Sequence, residues 1–163
     1  MKALSIKQPW AYLVASGHKK YETRSWATKY RGPVMIHSSA GLMTKLQKRT
    51  YERWIRDYGL NVDYQNYLYY GCIIGVATLA DVCVINEQFT IDKLDGAYLS
   101  NKEYTFGDYS LPGRFAWEMK DAMMFDRSIP MKGNLGIWNY TPNSEQTLLS
   151  MYEAYKALKN IPG

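Results

Sequence analysis

Cysteine and histidine are scarce in this chain: Cys72 and Cys83, His18 and His37, and no others. Two cysteines and two distant histidines cannot build a disulfide framework or a Cys/His zinc site. The expectation is therefore reduced, buried thiols with no disulfide partner, no metal and no cofactor. No apolar run approaches the roughly 20 residues that a membrane-spanning helix requires, and the opening MKALSIKQPW lacks the long apolar stretch of a secretory leader. A cytoplasmic protein without a membrane partner is expected. Linkers rich in Pro or Gly, internal repeats, a GxSxG elbow and a P-loop are all missing. Acid is almost missing from the first third. Residues 1–56 carry twelve Lys and Arg against Glu22 and Glu52, whereas residues 57–163 carry eight cations against thirteen acids. Such segregation makes a field that draws anions to one part of the surface. It also leaves the basic part short of the carboxylates a metal-assisted hydrolase needs.

With 163 residues, 47% hydrophobic and 21% charged, the chain fits one globular domain able to bury a core. KALSI reads as a short strand. Pro9–Ser16 reads as a two-turn helix, with Pro in its first turn and Gly17 beyond its end. Tyr21–Trp26 is extended, Gly32-Pro33 turns, and VMIHSS is a strand with Val34, Ile36 and Ser38 on one face and Met35, His37 and Ser39 on the other. Leu42–Tyr58 is helical, with Leu46, Thr50, Trp54, Ile55 and Tyr58 on one stripe and Gly59 as its stop. NVDYQNYLYYG reads as a loop packed by its own rings. Gly71–Ile85, rich in Val and Ile with two glycines, suits a long bent barrel strand. Asn86–Asp95 suggests a short helical turn, and Gly96–Arg114 an irregular loop. FAWEMKDAMMF and LGIWNY are strands joined by the Ile129-Pro130 turn and Gly133. Asn143 or Ser144 caps a last amphipathic helix carrying Leu148, Met151, Tyr152, Tyr155 and Leu158. The fold class is α+β, a small mixed β-barrel of five to six strands with flanking helices.

Chemistry concentrates in GHKKYETRSWATKYRG, Gly17 to Gly32. Here Lys19, Lys20, Arg24, Lys29 and Arg31 alternate with Tyr21, Trp26 and Tyr30 around one acid, Glu22. Aromatics beside cations suit the stacking of unpaired bases, and Trp10 and Trp26 are assigned that role, whereas Trp117 and Trp138, on alternating strands, are assigned to the core. In a regular extended segment Lys20, Glu22 and Arg24 share one face and Lys19, Tyr21, Thr23 and Ser25 the other; a bulge would instead bring Lys19 to Glu22. Glu22 can hold the cations as a salt-bridged cluster, aim one at a phosphate, or take a proton from a base edge. His18 reads as a surface residue. His37 reads as a structural histidine first and a site residue second.

LSIKQPWA, GHKKYETRSW, YRG with its following strand, GCIIGVATLADV and IPMKGNLGIW together resemble the activating signal cointegrator homology (ASCH) domain, over about Met1 to Tyr140. The family's Gly-x-Lys-x-x-Glu-x-Arg pattern stands here as Gly17, Lys19, Glu22 and Arg24. The resemblance implies a PUA-like barrel over 1–140; residues 141–163 lie outside it and are expected to form an amphipathic helix packed on the same domain. It also implies a cleft associated with RNA or other nucleic acid. Lys19, Glu22 and Arg24 would line that cleft, with Gln8, Trp10 and Trp26 as neighbours. One branch of the family looks like amidohydrolases of an acetylated cytidine, which use a Thr three residues after the Lys; that position here is Glu22, and Thr23 is one residue off. Another branch is similar to metal-assisted ribonucleases.

The leading expectation is thus a nucleic-acid-binding domain for RNA, single strands or a modified nucleotide, with duplex DNA as the next candidate. Its expected site comprises Gln8, Trp10, Lys19, Lys20, Glu22, Arg24, Trp26, Lys29, Arg31, His37 and Ser38. The alternatives are a hydrolase of RNA or an acetylated cytidine acting through Lys19 and Glu22, and an interaction module for an acidic protein.

Overall fold

The computed structural model describes residues 1–60, 69–92, 99–141 and 145–160. Six strands, β1 (Lys2–Ile6), β2 (Tyr21–Arg24), β3 (Gly32–Ser38), β4 (Cys72–Val84), β5 (Phe115–Pro130) and β6 (Ile137–Asn139), form one sheet in the order β2-β5-β4-β3-β1-β6. β1 runs parallel to β3, and the other pairs are antiparallel. The sheet is therefore mixed, and it curls as a half-barrel with β2 and β6 at its edges. Among the described residues four helices flank it: α1 (Trp10–Ala15), α2 (Lys45–Tyr58), α3 (Asn101–Phe106) and α4 (Glu145–Lys159).

Alternation sorts the core. Leu4, Ile6, Val34, Ile36, Leu79 and Trp117 bury on one face against Ala11, Val14 and Ala15 of α1. Ala3, Met35, Ile73 and Val76 bury on the other against Tyr140 and Tyr152. The Tyr152 hydroxyl lies 2.6 Å from Thr78 Oγ1 and the Tyr155 hydroxyl donates to Ala122 O at 2.8 Å, which seats α4 on the outer face. The register of β4 against β5 shifts at three places, and such bulges bend a strand. Gly75 lies at one of them, where a Cβ would come within 2.5 Å of Met123 O and 3.2 Å of Ala15 Cβ. Only glycine lets α1 approach this closely.

Several expectations change. α2 begins at Lys45, not Leu42, because Thr44 closes a capping box with Gln47: Gln47 N donates to Thr44 Oγ1 at 3.1 Å and Thr44 N to Gln47 Oε1 at 2.9 Å. Its buried residues are Tyr51, Trp54 and Ile55, while Leu46 is 73% exposed. The stretch expected to be an irregular loop before Arg114 contains α3, a helix too short for a periodic signal, capped by Ser100 Oγ and held by Phe106 against Trp54 and Tyr58. After β4, Asn86 makes a turn and not a helix, its Oδ1 accepting from the amides of Gln88 and Thr90. β5 runs unbroken through Ile129 to Pro130, because the 13-residue β4 supplies partners as far as Cys72. In α4 Tyr152 is buried but Met151 is 53% exposed. Cys72 is buried and Cys83 only partly so, and neither is in a disulfide. The expected ring-packed loop over 61–68, the residues 93–95, and the cap at Asn143 or Ser144 lie outside the described residues.

Candidate functional site

The start of β2 organises the site. Gly17, with φ of +79°, ends α1, and Lys19 N turns back to donate to Leu13 O at 2.8 Å. The chain is regular only from Tyr21, so Lys19 escapes the alternation and meets Glu22. Its Nζ donates to Glu22 Oε2 at 2.7 Å and to Tyr21 O at 2.6 Å. Both partners are withdrawn from solvent, Lys19 to 1% exposure and Glu22 to 7%. Arg24, two residues along the same face, brings Nε to 3.2 Å from Glu22 Oε1 and donates from Nη2 to Ser5 O at 2.8 Å. Lys20 points outward and is exposed.

A second carboxylate, from a segment 80 residues away in the chain, fixes this start. Glu103 of α3 is buried and accepts from the backbone amides of Lys20, at 2.5 Å, and Tyr21, at 3.4 Å. Burial raises its pKa above the ordinary carboxylate value, against the opposing pull of those amide bonds and the Lys19 charge.

Two cavities meet at the Lys19–Glu22–Arg24 cluster, and Trp10, Glu22, Thr23 and Arg114 belong to both. The first, of about 430 Å³, is walled largely by apolar side chains (Pro9, Trp10, Leu46, Trp54, Phe106) with Lys19, Thr50 and Asp108 among its polar groups. The second, of about 400 Å³, is polar and cationic, with Lys7, Arg24 and Arg114 beside Trp26 and three serines. Trp26 is half-buried, its ring set edge-on to Trp117 at 4.6 Å. Thr23 Oγ1 accepts from Asp108 N at 3.0 Å. Asp108 also accepts from the amide and hydroxyl of Ser110, which lowers its pKa.

Of the residues expected at a site, Trp10, Lys19, Glu22, Arg24 and Trp26 are thus brought together. The others are placed elsewhere. Gln8 is buried, donating to Tyr69 O and accepting from Tyr12 N. Ser38 is buried and donates to Tyr69 O. His37 stands in a structural chain. Its Nε2 donates to Met131 O at 2.9 Å, and its Nδ1 lies 3.1 Å from Ser5 Oγ, which itself accepts from Trp138 Nε1. Arg31 donates to Thr28 O and Tyr30 O and pairs with Asp81 at 3.4 Å; neither it nor Lys29 lines the two cavities. His18 is half-buried, and burial with the nearby Lys102 charge lowers its pKa. Among the described residues no group of three His, Cys, Asp or Glu is placed to hold a metal ion.

Sequence reasoning missed Arg114, Asp108, Glu103 and Phe106, all in or beside a stretch read as irregular. It read Trp54 as core only, although the indole also walls the first cavity. No local signal marks these residues. Arg114 reaches the site through the pairing of β2 with β5, where Glu22 opposes Trp117 and Arg24 opposes Phe115, and α3 reaches it through the Glu103 bonds to Lys20 and Tyr21 and the packing of Phe106 on Trp54.

The ASCH domain family model matches residues 4–127. Activating signal cointegrator 1 of Homo sapiens is 32% identical over 140 residues, which cover 83% of this chain and 21% of that protein. The Mus musculus protein of the same name matches with the same identity and coverage. The chain therefore spans 21% of the length of these curated relatives. Among solved structures, ASCH from Zymomonas mobilis superposes with a TM-score of 0.51 at 15% identity, covering 92% of this chain and 93% of that one. A mutant of that protein gives 0.52 at 15% identity, with coverage of 92% and 96%. At that identity the structural likeness concerns the fold. The family match over most of the chain concerns its descent, and by it this chain belongs to the ASCH domain family.

Proposed function

We propose that the paired cavities bind an unpaired nucleotide of a nucleic acid, with RNA as the preferred strand. One observation carries the reading: a buried Lys19–Glu22–Arg24 ion cluster lies at the junction of an indole-walled cavity and a cationic one. A buried ion pair contributes little stability compared with apolar side chains of similar size, so its presence here suits recognition better than folding. Trp10, half-buried and common to both cavities, offers a stacking face, and Arg24, Arg114 and Lys7 offer charge to the phosphates. Membership of the ASCH family, associated with RNA, supports the same assignment. Lys29, Arg31 and Lys20, exposed outside the cavities, would serve only a longer strand.

Fluorescence anisotropy with labelled single-stranded RNA, duplex DNA and acetylated cytidine as competitor tests this. Single-stranded RNA should bind more tightly than duplex of equal length, and affinity should fall steeply with salt. Trp10→Ala should weaken binding roughly 5- to 150-fold, the equivalent of about 1–3 kcal/mol for one stacked base. Absence of binding to any probe at low salt, or an unaffected Trp10→Ala variant that remains folded, would overturn the proposal.

The second reading is a hydrolase, and the presence of Thr23 with Lys19 and Glu22 in the wall of the first cavity favours it. Product formed from acetylated cytidine or RNA, and lost in Glu22→Gln with binding retained, would establish it in place of simple binding.

A further inference from the structure

A guanidinium has five N–H donors, and when it is buried each seeks an acceptor. Two arginines here each leave one donor over. Arg24 Nε is withdrawn from water and makes no hydrogen bond; its approach to Glu22 Oε1 is an ion pair without hydrogen-bond alignment. Among the described residues Arg114 Nε is equally withdrawn and equally without a hydrogen bond, and the ion pair of this side chain is a long one from Nη2 to Asp108 Oδ2 at 3.7 Å. Both side chains line the second cavity, with Lys7 beside them. The Arg24 side chain is held by Nη2 donating to Ser5 O, and the Arg114 backbone by its carbonyl accepting from the amide of Ile85. The carboxylate that faces them, Glu22, is already engaged by Lys19 Nζ at 2.7 Å. The two side chains nonetheless stay partly exposed, at 22% and 23%, on the wall of the second cavity, and such permanently charged, under-bonded groups match the oxygens of a phosphate, for which the fork of arginine is well shaped.

From this we infer that the two cavities divide one nucleotide between them. The phosphate sits in the second cavity against Arg24 and Arg114, and the base enters the first, against Trp10 and Trp54. The division rests on the nucleic-acid reading above and narrows it: the smallest tight ligand is a nucleoside monophosphate, and a nucleoside alone lacks the anchoring group. Arg114 spans both cavities and is the specificity-determining residue for that phosphate.

Competition against labelled single-stranded RNA separates the components, using nucleosides, nucleoside 5′- and 3′-monophosphates, an unphosphorylated dinucleotide and inorganic phosphate. The wild type should prefer the monophosphates over the matching nucleosides by about tenfold or more, as expected for charge-assisted hydrogen bonds. If the dinucleotide competes as well as a monophosphate, the bound group is an internal phosphodiester; if it competes only as a nucleoside, it is a terminal phosphate. Either supports the inference. Arg114→Gln should erase the preference for monophosphate over nucleoside, and Arg114→Lys should keep part of it. Melting curves of both variants establish that they fold, and the wild-type comparison stands by itself if they do not. Equal competition by nucleoside and monophosphate, with RNA still bound, would overturn the division and leave the nucleic-acid reading intact. Failure of the wild type to bind RNA or any monophosphate would overturn both.

Discussion

Replacing Lys19 by methionine isolates the energetics of the buried cluster. Methionine matches the length of the lysine stem but returns neither the charge nor the donors. Glu22 Oε2 loses its partner at 2.7 Å and Tyr21 O loses its donor at 2.6 Å. Removing one partner of a buried pair costs about 3–5 kcal/mol, because the other charge remains in a poorly solvated place. Arg24 Nε still lies 3.2 Å from Glu22 Oε1, so the lower end, about 3 kcal/mol, applies here. For a chain of this size that corresponds to a melting point lowered by roughly 6–12 °C. The Lys19→Met/Glu22→Gln double variant should cost less than Lys19→Met alone, about 1 kcal/mol, since no uncompensated carboxylate is left and the amide can still face Arg24. Urea denaturation followed by tryptophan fluorescence measures both. A single variant costing under about 1 kcal/mol, or a double variant costing the sum of its parts, would refute the claim that the pair is a desolvated unit. A stable double variant that no longer binds nucleic acid would show that the pair is kept for recognition.

Two other substitutions probe the surroundings. Glu103 has a folded pKa above its ordinary value of 4.5, so the folded chain holds that proton more tightly than the unfolded one, and Glu103 ionisation weakens folding as pH rises through the folded value. Melts of wild type and Glu103→Gln across pH should show the difference moving in the variant's favour from pH 4.5 upward; a flat difference would contradict the assignment. Gly133→Ala should destabilise by about 1–3 kcal/mol through overpacking. A Cβ there would fall within 2.7 Å of Ser5 Oγ and 2.5 Å of His37 Nδ1, and calorimetry checks the loss.

Much of the fold was written locally. Gly59 with φ of +60° and the alternation of Val34 and Ile36 against Met35 each act within a few residues, so periodicity and stop chemistry found them; the Thr44–Gln47 box is equally local, and it, not the periodicity from Leu42, sets the start of α2. The edge between strand and loop was harder. β5 reaches Pro130 because β4 is long enough to pair with it, and α3 exists because Ser100 caps it and Phe106 has Trp54 to pack against. Neither reason is visible in a window of ten residues.

The sequence alone determined that the first third would be basic, that Trp10 and Trp26 would stand beside cations, and that Lys19, Glu22 and Arg24 would share a short segment. Tertiary structure decided the rest. It turned Lys19 inward at the break in alternation, gave Gln8, His37 and Ser38 internal hydrogen bonds, and left Lys29 and Arg31 outside the cavities. It brought Glu103, Asp108 and Arg114 to the cluster from some 80–90 residues away. Spacing along a chain encodes which neighbours share a face; which distant groups meet there depends on strand register and on the packing of α2 and α3, and these exist only once the chain has folded.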